Sequence, residues 1–393
     1  MERIGIYGGT FSPPHLGHIR AACMAVELLH LSKMLMIPSC ISPNKVTENF
    51  ATPEQRLEML ALATEQEPVL ELSDLELQRG GVSYTYETVA QLREVYPDAE
   101  LILCMGSDMF ATFESWREPQ RILQQASIAV FSRGEAEEND RITAMQEKLE
   151  ARGAKIYRID NPVTQISSTD IRRLLLFGCA DPFLPEGVGN YIRRNGLYGT
   201  DRDYRGLSLE KLEQVVTGLL KPSRVAHVLG CRDTAVQLAK IWGADETEAA
   251  RAALLHDITK ALDGPAQLTL CREYGMILDD FSGENPKTIH ALTGSLVADR
   301  IFGESERVVR AIRCHTTGKA NMNMLEKIIY VADYVEPNRD FPGVEALRSL
   351  AYTDIDSALK RGLEMTLAML QKQGRAVSPA SMEALRYLQH TSR

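Results

Sequence analysis

Apolar positions in the first half of the chain fall into short β-rich runs separated by longer stretches with helical spacing. Arg3–Tyr7, Lys33–Ile37, Leu101–Met105, Ile128–Phe131 and Lys155–Ile159 are predicted as strands. Leu16–Leu31, Pro53–Glu65, Tyr86–Tyr96, Arg141–Arg152 and Thr169–Phe177 are predicted as the helices between them. Such alternation builds a mostly parallel sheet covered by helices on both faces, an α/β fold. From Leu207 onward the strand-like runs stop. Helical patterns follow one another, punctuated by Lys221-Pro222, Asp263-Gly264-Pro265, Asn285-Pro286, Phe341-Pro342-Gly343 and Ser378-Pro379. A second, all-α domain is therefore expected. The polar stretch 199–206 reads as the linker, which gives domains at 1–198 and 207–393.

The length of 393 residues agrees with about two or three domains. The longest apolar runs are strand-length, far short of the ~20 residues of a membrane span. Met1-Glu2-Arg3 leads directly into the first strand, so no secretion signal is expected. A net charge of −9 argues against a nucleic-acid surface, so any phosphate ligand must be met by local donors. Seven cysteines, an odd number with no C-x-x-C pair, point to buried free thiols in a reducing, cytoplasmic compartment. Nothing in the pattern selects between a monomer and a homo-oligomer.

The first candidate chemistry lies directly after the first strand, in Gly8-Gly9-Thr10-Phe11-Ser12-Pro13-Pro14-His15-Leu16-Gly17-His18. Paired glycines let the backbone approach a ligand, and two prolines stiffen the turn into a helix. His15 and His18 share one face of that helix start, where free N–H groups carry a partial positive charge. Thr10 adds a hydroxyl, so the segment suits a polyphosphate. A tight turn with two incidental histidines is the bland alternative, and the length of the string argues against it. A second loop repeats the logic: Ser168 and Thr169 stand at a predicted helix start, with Arg172 three residues on to add a cation.

The first string resembles the (H/T)-x-G-H signature of the nucleotidylyltransferase superfamily. Residues 1–198 resemble one branch of it, the nicotinate-nucleotide adenylyltransferases. The further resemblance is carried by Met36-Ile37-Pro38, Pro43-Asn44-Lys45, Arg56-Leu57-Glu58-Met59-Leu60, Ser83-Tyr84-Thr85, Gly106-Ser107-Asp108, Trp116, Ile166-Ser167-Ser168-Thr169-Asp170-Ile171-Arg172, Tyr191-Ile192 and Leu197-Tyr198. It implies a Rossmann-like domain that joins ATP, with Mg²⁺, to nicotinate mononucleotide. An ionised mononucleotide phosphate needs no general base, so catalysis reduces to positioning and charge neutralisation. That work falls to His18, Thr10, Lys45 and Arg172. Substrate contacts fall to Gly8, Gly9, Phe11, His15, Thr85, Gly106, Asp108, Trp116, Ser168 and Thr169. Trp116 is a stacking platform or a half-buried core residue, and Asp108 binds a ribose or a main-chain group. Ser12 departs from the branch, most of whose members carry Asp there. Nicotinamide mononucleotide or phosphopantetheine as acceptor, and a non-catalytic nucleotide sensor, are the competing readings.

Among the histidines of the helical half, four carry the candidate chemistry: His227, His256, His290 and His315. Asp257 follows His256 directly, and Asp333 lies in an apolar helical run. Imidazole and carboxylate are the ligands that borderline divalent ions prefer. Any one of these histidines alone would read as a surface or core residue. The set His227, His256-Asp257 and Asp333 resembles the HD superfamily of metal-dependent phosphohydrolases. His256-Asp257-Ile258-Thr259-Lys260, His315-Thr316-Thr317-Gly318 and Ala332-Asp333-Tyr334-Val335-Glu336-Pro337 are similar to its symmetrical diadenosine-tetraphosphate hydrolase branch. The resemblance implies two divalent ions, iron or alternatively manganese or cobalt, and a dinucleoside polyphosphate substrate. His227, His256, Asp257 and Asp333 would hold one ion, and Asp257, His290 and His315 the other. An activated water between them would be the nucleophile, with Asp257 central to catalysis. Lys260 and Arg339 would meet substrate charge or remain solvated surface cations.

Overall fold

The computed structural model describes every residue except 44–50, 133–135, 161–165, 280, 283–284 and 392–393. The chain forms two compact units, Met1–Arg202 and Asp203–Arg393.

The first unit is built on six strands: β1 (Arg3–Gly9), β2 (Lys33–Pro38), β3 (Leu70–Leu72), β4 (Glu100–Gly106), β5 (Ser127–Ser132) and β6 (Ile156–Asp160). They lie in the order β3-β2-β1-β4-β5-β6, and every pairing is parallel. This is the doubly wound order, whose reversal between β1 and β4 opens a crevice at their carboxyl ends. The helices of eight residues or more are α1 (Leu16–Leu28), α2 (Pro53–Thr64), α3 (Thr85–Val95), α4 (Ala136–Glu150) and α5 (Ser168–Leu176). Ile4, Ile6, Leu101, Leu103, Ile128 and Val130 are buried in one core with Val89 and Leu92 of α3 and Ile142 and Leu149 of α4. Each such side chain contributes about 1.5–3 kcal/mol by leaving water.

The sequence pattern misses β3, a three-residue edge strand too short to show a period. It also misses the short helices Leu75–Arg79, Ser107–Ala111, Pro119–Leu123 and Val188–Arg194 for the same reason. Helix α1 ends at Leu28 rather than Leu31. His30 takes a left-handed φ of 50° and Leu31 N–H donates to Val26 O, turning the chain into β2.

The second unit carries α6 (Leu209–Leu219), α7 (Pro222–Trp242), α8 (Glu246–Leu255), α9 (Gly264–Glu273), α10 (Pro286–Arg300), α11 (Glu306–Cys314), α12 (Met324–Val335), α13 (Val344–Thr353), α14 (Ile355–Lys372) and α15 (Pro379–Thr391). Among the described residues it has no strand. All five sequence breaks are helix starts: Pro222, Pro286 and Pro379 are first residues, Gly343 precedes α13, and Asp263 accepts the Ala266 N–H. Helix α12 is buried along Leu325, Ile328, Ile329, Tyr330, Val331 and Ala332, and packs on α7, α8, α11 and α14. In the stretch expected as a linker, Tyr204 is buried against Phe302. No described helix is long and apolar enough to cross a membrane. All seven cysteines are free thiols, five of them buried.

Candidate functional site

The crevice at the β1–β4 reversal is a cleft of about 740 Å³. The sequence-selected residues Gly8, Gly9, Thr10, Phe11, His15, His18, Thr85, Gly106, Asp108, Trp116, Ser168, Thr169 and Arg172 all line it. Lys45 lies outside the described residues. Two glycines are set by close approach: a Cβ on Gly9 would meet the Phe11 ring at 3.1 Å, and one on Gly106 would meet the Asp108 carboxylate at 2.8 Å.

His15 is the extended N-cap of α1, and its ring stacks on that of His18 at 3.6 Å. The His15 N–H faces His18 Nδ1 at 3.3 Å, which makes that nitrogen an acceptor and leaves the ring proton on Nε2. Burial holds His15 neutral, its pKa lowered to about 3. The buried Phe11 ring meets His18 edge-on at 5.0 Å. Helix α5 starts at the same cleft, with Ser167 as its N-cap accepting the Asp170 N–H, and Ser167, Ser168 and Thr169 in the wall. Two helix N-termini and a histidine N–H thus face one volume, an arrangement that favours anionic oxygens.

Other cleft residues are held by contacts within the protein. Arg172 donates to Ser12 O at 2.6 Å and to Thr169 Oγ1 at 3.0 Å, so it ties the two loops together. Asp108 accepts from the Met109 N–H, a main-chain group. Trp116 lines the cleft half-buried, its ring 5.4 Å from Phe113. Ser12 Oγ hydrogen-bonds the Tyr198 hydroxyl at 3.0 Å, so the seryl position is tied to the far end of the unit. No role for Arg56 is legible in the sequence. The residue is 3% exposed and donates to Thr10 O, Cys40 O and Ala51 O, clamping the first loop from behind.

In the second unit, His227 on α7, His256 and Asp257 beyond α8, His290 on α10, His315 beyond α11 and Asp333 on α12 come together. Asp257 turns one oxygen each way. Its Oδ2 lies 3.8 Å from His227 Nε2 and 3.5 Å from His256 Nε2, while Oδ1 lies 3.2 Å from His290 Nε2 and 3.8 Å from His315 Nε2. Asp333 Oδ1 lies 3.1 Å from His227 Nε2.

The outer nitrogens explain this orientation. His256, His290 and His315 each set Nδ1 against the carbonyl three residues back, Ala253, Lys287 and Ile312, while His227 Nδ1 meets Glu336. A carbonyl only accepts, so those three rings carry their proton on Nδ1 and present a bare Nε2 inward. His290 Nε2 and His315 Nε2 are then 3.2 Å apart with no proton between neutral rings. Among the described residues, buried His256 Nε2 has no hydrogen-bond partner. Burial pushes the pKa of His256 and His290 well down and that of His315 to about 4. Burial pushes the Asp333 carboxyl up, but the His227 hydrogen bond and the Arg339 charge outweigh it and hold it well below the usual range. Lone pairs and carboxylates that face each other at these distances suit divalent cations.

Neither Lys260 nor Arg339 is a free surface cation. Lys260 Nζ reaches His290 Nε2 at 3.0 Å, and Arg339 donates to Asp333 O and to its carboxylate. Arg224, which sequence reasoning passed over, pairs with Asp257. Glu336, behind His227, was legible only as part of a resembling string.

Residues 6–174 match the cytidylyltransferase-like family, and residues 224–338 match the HD domain family. A probable nicotinate-nucleotide adenylyltransferase of Dictyoglomus thermophilum is 39% identical over 197 residues, 50% of this chain and 99% of that protein. A symmetrical bis(5'-nucleosyl)-tetraphosphatase of Halalkalibacterium halodurans is 40% identical over 173 residues, 44% of this chain and 92% of that protein. A solved structure from Clostridium acetobutylicum, described as a predicted HD superfamily hydrolase involved in NAD metabolism, is 38% identical, covers 47% of this chain and 98% of its own, and superposes with a TM-score of 0.46. The chain is an enzyme whose front half belongs to the nicotinate-nucleotide adenylyltransferase family of nucleotidyltransferases and whose rear half belongs to the HD domain family.

Proposed function

We propose that the front unit transfers AMP from ATP to nicotinate mononucleotide, giving deamido-NAD and pyrophosphate, and that the rear unit hydrolyses diadenosine tetraphosphate to ADP. The first reading rests on the convergence of two helix N-termini, Thr10 and the His18 Nε2–H on one cleft. The ATP triphosphate lies along the Gly8–His18 loop, so that His18 Nε2–H and the main-chain amides meet charge as it builds on the pyrophosphate leaving group. The mononucleotide phosphate attacks the α-phosphorus directly, and Thr85 and Trp116 line the acceptor end of the cleft. Arg172 and Arg56 also act as positioning residues that fix the loops to each other and to the segment after β2.

The second reading rests on three bare Nε2 atoms directed at Asp257 and Asp333. Divalent ions held there supply Lewis-acid polarisation of a phosphoanhydride. Asp257 spans both groups of ligands, Glu336 orients His227, and Lys260 and Arg339 stand where substrate charge would arrive.

The test is pyrophosphate release with nicotinate or nicotinamide mononucleotide, alongside ADP formation from diadenosine tetraphosphate by metal-reconstituted protein. Preference for the nicotinate form and appearance of ADP are expected. Inertness toward both mononucleotides removes the first assignment, and an intact tetraphosphate with metal bound removes the second.

A further inference from the structure

Helix α7 carries a cysteine one turn beyond His227, and the i, i+4 spacing puts both side chains on the same face. Cys231 is 2% exposed, with Sγ 3.8 Å from His227 Nε2 and 3.9 Å from Ala332 O, the residue before Asp333. One donor atom from each of His227, Cys231, His256 and Asp333 lies within 4.8 Å of every other. An independent feature of the same cluster points to a ligand: His256 Nε2 is buried, 1% of the residue being exposed, and has no hydrogen-bond partner among the described residues.

Bond lengths of about 2.3 Å to sulfur and 2.0 Å to imidazole nitrogen separate two tetrahedral ligands by roughly 3.5 Å. The observed 3.8 Å is within a few tenths of that, so the thiol needs almost no movement to share an ion with His227. Outside the cluster Sγ–H points to the Ala332 carbonyl at 3.9 Å, too weak a contact to fix it elsewhere.

We propose that Cys231 is a sulfur ligand of the divalent ion held by His227, His256 and Asp333, which tunes this centre toward softer ions such as Fe(II), Co(II) or Zn(II) over Mn(II). The proposal rests on reading the cluster as a divalent-metal centre. As the metal–sulfur bond forms, the Sγ–H bond breaks and its proton passes to water, leaving the electron pair on sulfur. A thiolate in place of a neutral or oxygen donor favours ions later in the divalent series.

The experiment loads the full chain, stripped of metal, with Co(II) and records bound metal, the near-ultraviolet absorption and the X-ray absorption fine structure. Wild type is expected to show a sulfur-to-cobalt charge-transfer band and one sulfur scatterer at about 2.3 Å. Cys231→Ser should lose the band while still binding Co(II), with the Co(II)-over-Mn(II) preference reduced about tenfold. Bound cobalt with only N and O scatterers in wild type overturns the sulfur ligand and leaves the metal-centre reading standing. No stoichiometric cobalt in wild type overturns both. The wild-type scattering measurement decides the matter even where Cys231→Ser fails to fold, and a band that survives in a folded Cys231→Ser protein assigns the sulfur to another cysteine.

Discussion

Replacing His18 by Ala isolates the contribution of a single hydrogen-bond donor. The main-chain N–H of His15 occupies Nδ1 at 3.3 Å, so the only ring proton the cleft can use is on Nε2. One preorganised donor to developing oxyanion charge is worth about 10²–10³ in kcat, or about 3–4 kcal/mol at ~1.4 kcal/mol per tenfold. His18→Ala should therefore lower kcat for pyrophosphate release by that factor at saturating ATP and nicotinate mononucleotide, with smaller changes in KM. The ring also stacks on His15 at 3.6 Å and meets Phe11 edge-on, so its removal loosens the loop. Thermal unfolding of the variant separates that effect from chemistry. His18→Gln keeps an N–H near the Nε2 position and should recover about tenfold of the loss. A folded His18→Ala protein with kcat within about threefold of wild type refutes the reasoning, since so small a change is under 1 kcal/mol.

Other outcomes follow from the same contacts. His15 is buried with its pKa near 3, so the unfolded chain binds a proton below about 6.5 that the folded chain refuses. Its contribution is whole above that pH and lost as pH falls toward 3, at up to ~1.4 kcal/mol per pH unit, and His15→Phe should flatten the pH dependence of unfolding over that window. Arg56→Met deprives three carbonyls of their buried donor, and each orphaned group costs about 1–3 kcal/mol. A fall in melting temperature with a raised KM for ATP is expected, and a variant unchanged in both would contradict the clamp. Gly230→Ala places a Cβ 2.4 Å from Glu336 Oε2, and Glu336→Gln removes the charge behind His227. Each should weaken metal binding about 10- to 100-fold by direct titration without touching a ligand.

The chain revealed most where chemistry is local. The Gly8–His18 string, the caps and the proline and aspartate breaks act within a few residues, and the structure places them where the pattern expects them to begin and end elements. Short elements such as β3 carried too little period to be seen. Contacts between distant residues were not legible either: Arg56 meets Thr10 46 residues away, Arg224 meets Asp257 33 away, and His227 meets Glu336 109 away. The inward turn of the second-unit histidines depends on helix-end carbonyls three residues back, a geometry that composition does not encode. The resemblance to known families supplied that grouping before the fold did. Arg172, which its sequence position marks as a phosphate contact, does line the cleft, while its bonds to Ser12 O and Thr169 were not legible in the sequence.

Two separate polyphosphate sites on one chain make the two reactions independent, and parallel assays of both on His18→Ala and Asp257→Ala decide whether they are. His18→Ala is expected to lose pyrophosphate release while diadenosine tetraphosphate is still cleaved, and Asp257→Ala to lose cleavage while pyrophosphate release persists. Loss of both reactions in either folded variant, or of neither, would contradict that independence.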